Sequence, residues 1–213
     1  MEAPPAREPL SPAPAWALAV RLGALAAVAS WLANQVIIGS FADAPRPDDL
    51  LFEWLPYVRP ARWLTVVALV AGPAVFLWAI LRAAPSRLSE VLAAIALMYL
   101  LRAGMIVLTP LAPAHGEGVF VFPTQQYGMF PSGHTTLLVL LALLVPEGPV
   151  WVRWFLWSMT AVMIAGLLLA RGHYSIDVAG GLLLAYFVAT ACGRGRLFAL
   201  FGRFTRRRTT PLP

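Results

Sequence analysis

Charge is what this chain has least of. Only 12% of its 213 residues are Asp, Glu, Lys or Arg, 60% are hydrophobic, and the mean hydropathy is +0.74. That leaves too little polar surface to cover a water-soluble domain of this size, so an ordinary soluble fold is excluded. Lysine is missing altogether: all sixteen basic residues are arginine. Cysteine occurs once, at Cys192, which excludes an internal disulfide framework and reads as a small apolar residue near the end of an apolar run. There is no His-Glu-x-x-His pattern and no Cys/His cluster, and the few acidic groups form no evident magnesium cage, so no metal is expected. Internal repeats and low-complexity linkers are absent as well, which leaves one domain.

What the chain does have is long apolar runs, at 16–38, 63–82, 88–110, 134–150, 151–170 and 174–192. Each is near the ~20 residues that a spanning helix needs. The expectation is an all-α, six-helix transmembrane bundle over 16–193, between a disordered cytoplasmic N-terminus (1–15) and a basic cytoplasmic tail (194–213). Ala27-Val28-Ala29 resembles a signal-cleavage site, but the leader carries Glu2 and Glu8, so an uncleaved first helix is expected. A net charge of +6 could suit nucleic acid, yet Arg194, Arg196, Arg203 and Arg206-Arg207-Arg208 crowd into the tail, where they read as a cytoplasmic anchor. No nucleic-acid partner is expected. A tail inside puts Arg82, Arg87 and Arg153 inside too, and an even number of helices brings Arg7 to the same side. The loops around 39–62, 111–133 and 171–174, with Asp48, His134 and His173, then face outward. The chemistry is expected on the extracytoplasmic face, which in a bacterial inner membrane is the periplasmic one.

Two short motifs carry that chemistry. Pro131-Ser132-Gly133-His134-Thr135 opens one apolar run, and Arg171-Gly172-His173-Tyr174-Ser175-Ile176-Asp177 opens another. The two histidines are 39 positions apart, the length of a helical hairpin that returns to the face it left. His173 and Asp177, four apart, share a helix face, so the carboxylate can hold one ring nitrogen and leave the other free to attack phosphorus. Ser132 is a good N-cap, Gly133 allows close approach to the backbone, and the helix start offers unpaired N–H groups to an anion. Arg102, deep in the third run, needs an anionic partner: either a structural pair with Asp177 or Asp48, or phosphate oxygens. Arg171 is a second phosphate candidate or an interfacial anchor. Arg21 is close enough to the inner surface to snorkel. In the loop 112–130, His115 and Glu117 read as ordinary loop polarity or as an addition to proton transfer.

Together these residues resemble the type 2 phosphatidic acid phosphatase (PAP2) superfamily, and within it the sphingomyelin synthase branch. Ser132-Gly133-His134-Thr135 matches that branch's SGHT motif. His173-Tyr174-Ser175-Ile176-Asp177-Val178 matches its HYTxDV motif with Ser for Thr. Arg102, Thr109 and Leu111 are similar to R-x6-T-x-L, and Pro45-Arg46-Pro47-Asp48 resembles PLPD. The resemblance runs from about residue 45 to 182. It implies a six-helix fold, transfer through a phosphohistidine and no cofactor, with His173 as nucleophile, Asp177 as orienting acid and His134 as proton donor. Asp48 and Tyr174 join the candidate site through the same motifs. The branch's Cys-Gly-Asp is replaced by Gln126-Tyr127-Gly128, and its downstream tyrosine by Leu182. The lysine-containing motif of the superfamily's phosphatases is absent, which favours the synthase branch. The implied partners are membrane lipids: a phospholipid donor and a ceramide or diacylglycerol acceptor. A lipid phosphate phosphatase using water is the alternative; a non-enzymatic transporter or scaffold, its polar residues serving as glue between helices, is the other.

Overall fold

The computed structural model describes residues 12–41, 43–114 and 128–193. The first eleven residues, the loop residues His115, Glu117, Gln125, Gln126 and Tyr127, and the tail from Arg194 lie outside the described residues. Seven α-helices are described: α1 (Pro12–Ser40), α2 (Leu50–Trp54), α3 (Arg62–Ala83), α4 (Leu88–Leu108), α5 (Gly133–Leu144), α6 (Val150–Leu169) and α7 (Ser175–Gly193). Among the described residues there is no strand, only an isolated bridge between Leu111 and Gly128. Among the described residues five segments are long and apolar enough to cross a membrane: Ala15–Ser40, Arg59–Ala83, Pro85–Leu108, Val150–Leu169 and Ser175–Cys192.

The fourth apolar run departs from the expected span of 134–150. Its helix, α5, has 12 residues and therefore rises about 18 Å, well short of the ~30 Å hydrocarbon layer. Pro146 holds Val145 in an extended conformation (φ −55°, ψ 130°), and the chain passes Gly148 and Pro149 before α6 begins. A helix this short is accommodated because it is the centre of the bundle rather than part of its wall. Leu138, Val139, Leu140, Leu141, Ala142 and Leu144 are all buried. Around them stand Phe76 and Ile80 of α3, Val91 and Met98 of α4, Val152 and Leu156 of α6, and Leu184 and Val188 of α7.

The outer helices pack through small residues, which let backbones approach where there is little hydrophobic gain in leaving lipid. Ala19, Leu22 and Ala26 of α1 meet Ala93 and Ala96 of α4, and Ala33 and Ile37 meet Ala103 and Ile106. Gly166 of α6 serves the same end, since a Cβ there would lie 2.9 Å from Thr65 Cγ2 and 3.0 Å from the Ala61 carbonyl oxygen. The pairings fix direction. The C-terminal ends of α1, α4 and α6 gather at one end of the bundle with the N-terminal ends of α3, α5 and α7. The described chain begins and finishes at the opposite end.

Candidate active site

The local sequence around Asp177 builds its own scaffold. Asp177 is fully buried in the first turn of α7, and its Oδ2 accepts two hydrogen bonds: from the Tyr174 backbone N–H at 3.0 Å and from His173 Nδ1 at 3.1 Å. An ionised carboxylate can only accept, so Nδ1 carries the proton and the lone pair is on Nε2. Asp177 Oδ1 is buried with no hydrogen-bond partner among the described residues. His173 is buried as well, at 6% exposure.

The second motif is joined to this turn through the backbone. The Ser132 N–H donates to the Asp177 carbonyl at 2.9 Å. Ser132 is the N-cap of α5: its Oγ accepts from the Thr135 N–H at 3.4 Å, and the Thr136 hydroxyl donates to its carbonyl at 2.6 Å. Close approach of α5 and α7 requires glycine. A Cβ on Gly181 would lie 3.0 Å from the Ser132 carbonyl oxygen, and one on Gly180 would collide with the Phe130 ring at 2.5 Å. The result sets the His134 ring edge-on to His173, centroids 5.7 Å apart at 67°. His134 Nδ1 is buried without a hydrogen-bond partner among the described residues.

Arg102 reaches the same region but spends its donors on backbone. Its Nε donates to the Pro131 carbonyl at 2.8 Å and its Nη2 to the Gly128 carbonyl at 2.6 Å. It clamps the segment that leads into α5. The space beside Gly133 is taken by this guanidinium, because a Cβ there would sit 3.2 Å from Arg102 Nε. Neither Asp48 nor Asp177 is its hydrogen-bond partner.

Arg171 closes the turn between α6 and α7. The Gly172 N–H bonds to the Leu167 carbonyl and the Arg171 N–H to the Leu168 carbonyl, which puts Arg171 at the left-handed position that usually carries glycine, with φ 50°. A side chain there costs about 1 kcal/mol or more. Its guanidinium lies over the Phe52 and Tyr57 rings, at 5.4 and 5.7 Å, and donates to the Phe52 carbonyl at 2.9 Å. Tyr174 is buried against Phe52, and its hydroxyl donates to the Ala112 carbonyl at 3.1 Å.

Asp48 is exposed, and its side chain makes no hydrogen bond to these residues. The buried neighbour Asp49 is what joins α2 to α7: Oδ1 caps the Leu51 N–H at 2.9 Å, and Oδ2 accepts from the Ser175 N–H. Its signal was available, as an Asp immediately before a short apolar-aromatic run is an N-cap pattern. The structure therefore brings together His134, His173, Asp177, Ser132, Gly133, Arg102 and Tyr174, with Arg171 one turn away. Among the described residues no group of three His, Cys, Asp or Glu side chains is placed to hold a metal ion.

Residues 129–192 match the family described as the PAP2 superfamily C-terminal domain. A 63-residue stretch is 36% identical to the phosphatidylcholine:ceramide cholinephosphotransferase 1 of Homo sapiens, covering 28% of this chain and 14% of that protein. A 94-residue stretch is 32% identical to the Caenorhabditis elegans protein of the same name, covering 40% of this chain and 19% of that one. The chain thus spans less than a fifth of the curated relatives it matches.

Proposed function

With residues 129–192 matching the PAP2 superfamily C-terminal family, we propose that this protein is an integral-membrane lipid phosphotransferase. It moves a phospho-headgroup from a glycerophospholipid to a lipid alcohol, ceramide or diacylglycerol, through a phosphohistidine. The observation that carries the reading is the buried His173–Asp177 pair at 3.1 Å with the His134 ring 5.7 Å away.

In the first step His173 Nε2 attacks phosphorus, and the bond from phosphorus to the diacylglycerol oxygen breaks as His134 delivers a proton to that oxygen. Asp177 keeps the proton on Nδ1 and balances the charge of the substituted ring. In the second step the acceptor hydroxyl passes its proton to His134 while its oxygen attacks phosphorus, and the phosphorus–nitrogen bond breaks. Both histidines return to their starting states. The N–H groups at the start of α5 favour the phosphoryl oxygens. The relatives' names support the donor and acceptor classes. The reaction is placed on the extracytoplasmic face, with both termini in the cytoplasm.

A purified sample given phosphate-labelled donor and ceramide tests the reading. The expected result is a labelled phosphosphingolipid and an acid-labile label on His173. Release of free phospho-headgroup alone would replace transfer by hydrolysis, label on His134 would exchange the two roles, and turnover without any labelled histidine would reject the mechanism.

A further inference from the structure

A cavity of about 390 Å³ lies at the end of the bundle opposite the histidines, between the C-terminal ends of α3 and α5 and the start of α6. Its apolar wall includes Trp78, Val145 and Val152, and its polar groups include Arg82, Arg153 and Glu147. The Trp78 and Trp151 rings meet at a tilt of 40° with centroids 5.6 Å apart, and the Arg82 guanidinium lies over Trp78 at 5.5 Å. A guanidinium lying over an indole keeps its donor edge available for phosphate oxygens. Among the described residues neither Arg82 nor Arg153 is ion-paired.

We propose that this cavity binds the headgroup of an anionic glycerophospholipid of the phosphatidylglycerol type. Two guanidinium groups against one carboxylate leave the lining with a net positive charge, which favours a headgroup with net negative charge over a zwitterionic one. Glu147 accepts hydrogen bonds from headgroup hydroxyls, and a quaternary ammonium could not donate them. The cavity has room for a headgroup, and the exposed faces of Trp78, Val150, Trp151 and Trp154 offer the acyl chains a surface in the surrounding lipid. The site is independent of the reaction at the histidines.

Phosphatidylglycerol and phosphatidylcholine bearing the same photoreactive acyl chain, each in nanodiscs with the protein, provide the test. Cross-links on peptides covering 78–83 and 145–154 are expected with phosphatidylglycerol, and about tenfold fewer with phosphatidylcholine. R82Q/R153Q, verified as folded by its melting temperature, should lower the phosphatidylglycerol signal by about tenfold and leave headgroup transfer unchanged. Equal labelling by the two lipids, or full labelling of the variant, would overturn the proposal. Loss of labelling in millimolar inorganic phosphate would also overturn it, by making the site one for free phosphate. If R82Q and R153Q unfold the chain, displacement of the photoreactive lipid by unlabelled phosphatidylglycerol but not phosphatidylcholine remains decisive.

Discussion

Asp177 Oδ2 accepts from both His173 Nδ1 and the Tyr174 backbone, so one substitution can separate an electrostatic role from a structural one. Asp177→Asn keeps an oxygen for the Tyr174 N–H but removes the charge that, in the proposed mechanism, fixes the His173 tautomer and balances a phosphoimidazole. Turnover is expected to fall about a hundredfold or more, by analogy with hydrolytic triads, while the melting temperature changes little. Activity within a few-fold of wild type would reduce Asp177 to a helix anchor. Arg102 calls for a different pattern. Lysine cannot donate in one plane to both Gly128 and Pro131, so Arg102→Lys loses charge-assisted bonds worth about 1.5–3 kcal/mol each. Stability in detergent and turnover should fall together. A variant with wild-type stability but no activity would return Arg102 to phosphate binding. The sequence marks Arg102 as a cation needing an acceptor; that the acceptors are carbonyls of a segment 26 and 29 residues away depends on tertiary folding. The same limit applies to Asp48 and Asp49, adjacent carboxylates of which only one points inward.

At the scale of elements, the site is a junction of the first turns of α5 and α7, and glycine sets its tightness. Gly181→Ala would place a methyl 3.0–3.2 Å from Ser132, Thr135 and Thr136. Alanine also favours helix by about 1 kcal/mol over glycine, which offsets part of the crowding. Turnover should therefore drop at least tenfold, since a misplacement of order 1 Å is costly to catalysis, with only a small change in melting temperature. Unchanged turnover would show that the two turns tolerate separation. Asp49→Ala removes the cap of α2 and its link to Ser175, and a lost cap costs about 1 kcal/mol. Proteolysis near residues 43–58 should quicken in that variant, and unchanged cleavage would mean that the contacts of Phe52 with Arg171 and Tyr174 suffice to hold α2. The long apolar helices were legible because length and composition suffice to recognise them. The end of α5 was written in Pro146 and Pro149, yet an apolar count runs straight through Val145. The five-residue α2 is not legible in the sequence, because a single turn has too little periodicity to register.

At the scale of the whole molecule, arginine placement and helix direction make the same argument about sidedness. The start of α1 and the end of α7 lie at the bundle end that also holds Arg82, Arg87 and Arg153. In sequence those ends adjoin Arg7 and six further arginines beyond Gly193. The histidine end carries Arg46, Arg59, Arg62 and Arg171, and with them Asp43, Asp48, Asp49 and Glu53. Orientation follows the excess of positive residues near the spans and depends little on acidic ones. The histidine end is therefore expected outside, although α5 is too short to cross alone: as the buried centre it leaves the parity of the chain unchanged, because its return segment through Pro149 still reaches the far end before α6 begins. In a Cys192→Ser background, Asp48→Cys should react with an impermeant thiol reagent on intact cells, and Arg87→Cys only after the membrane is opened. Both positions are exposed, so a missing signal cannot be blamed on burial, and neither carries the proposed chemistry. Labelling of Arg87→Cys from outside would invert the topology and put headgroup transfer on the cytoplasmic leaflet, where donor and acceptor lipids would have to be drawn from the opposite pool.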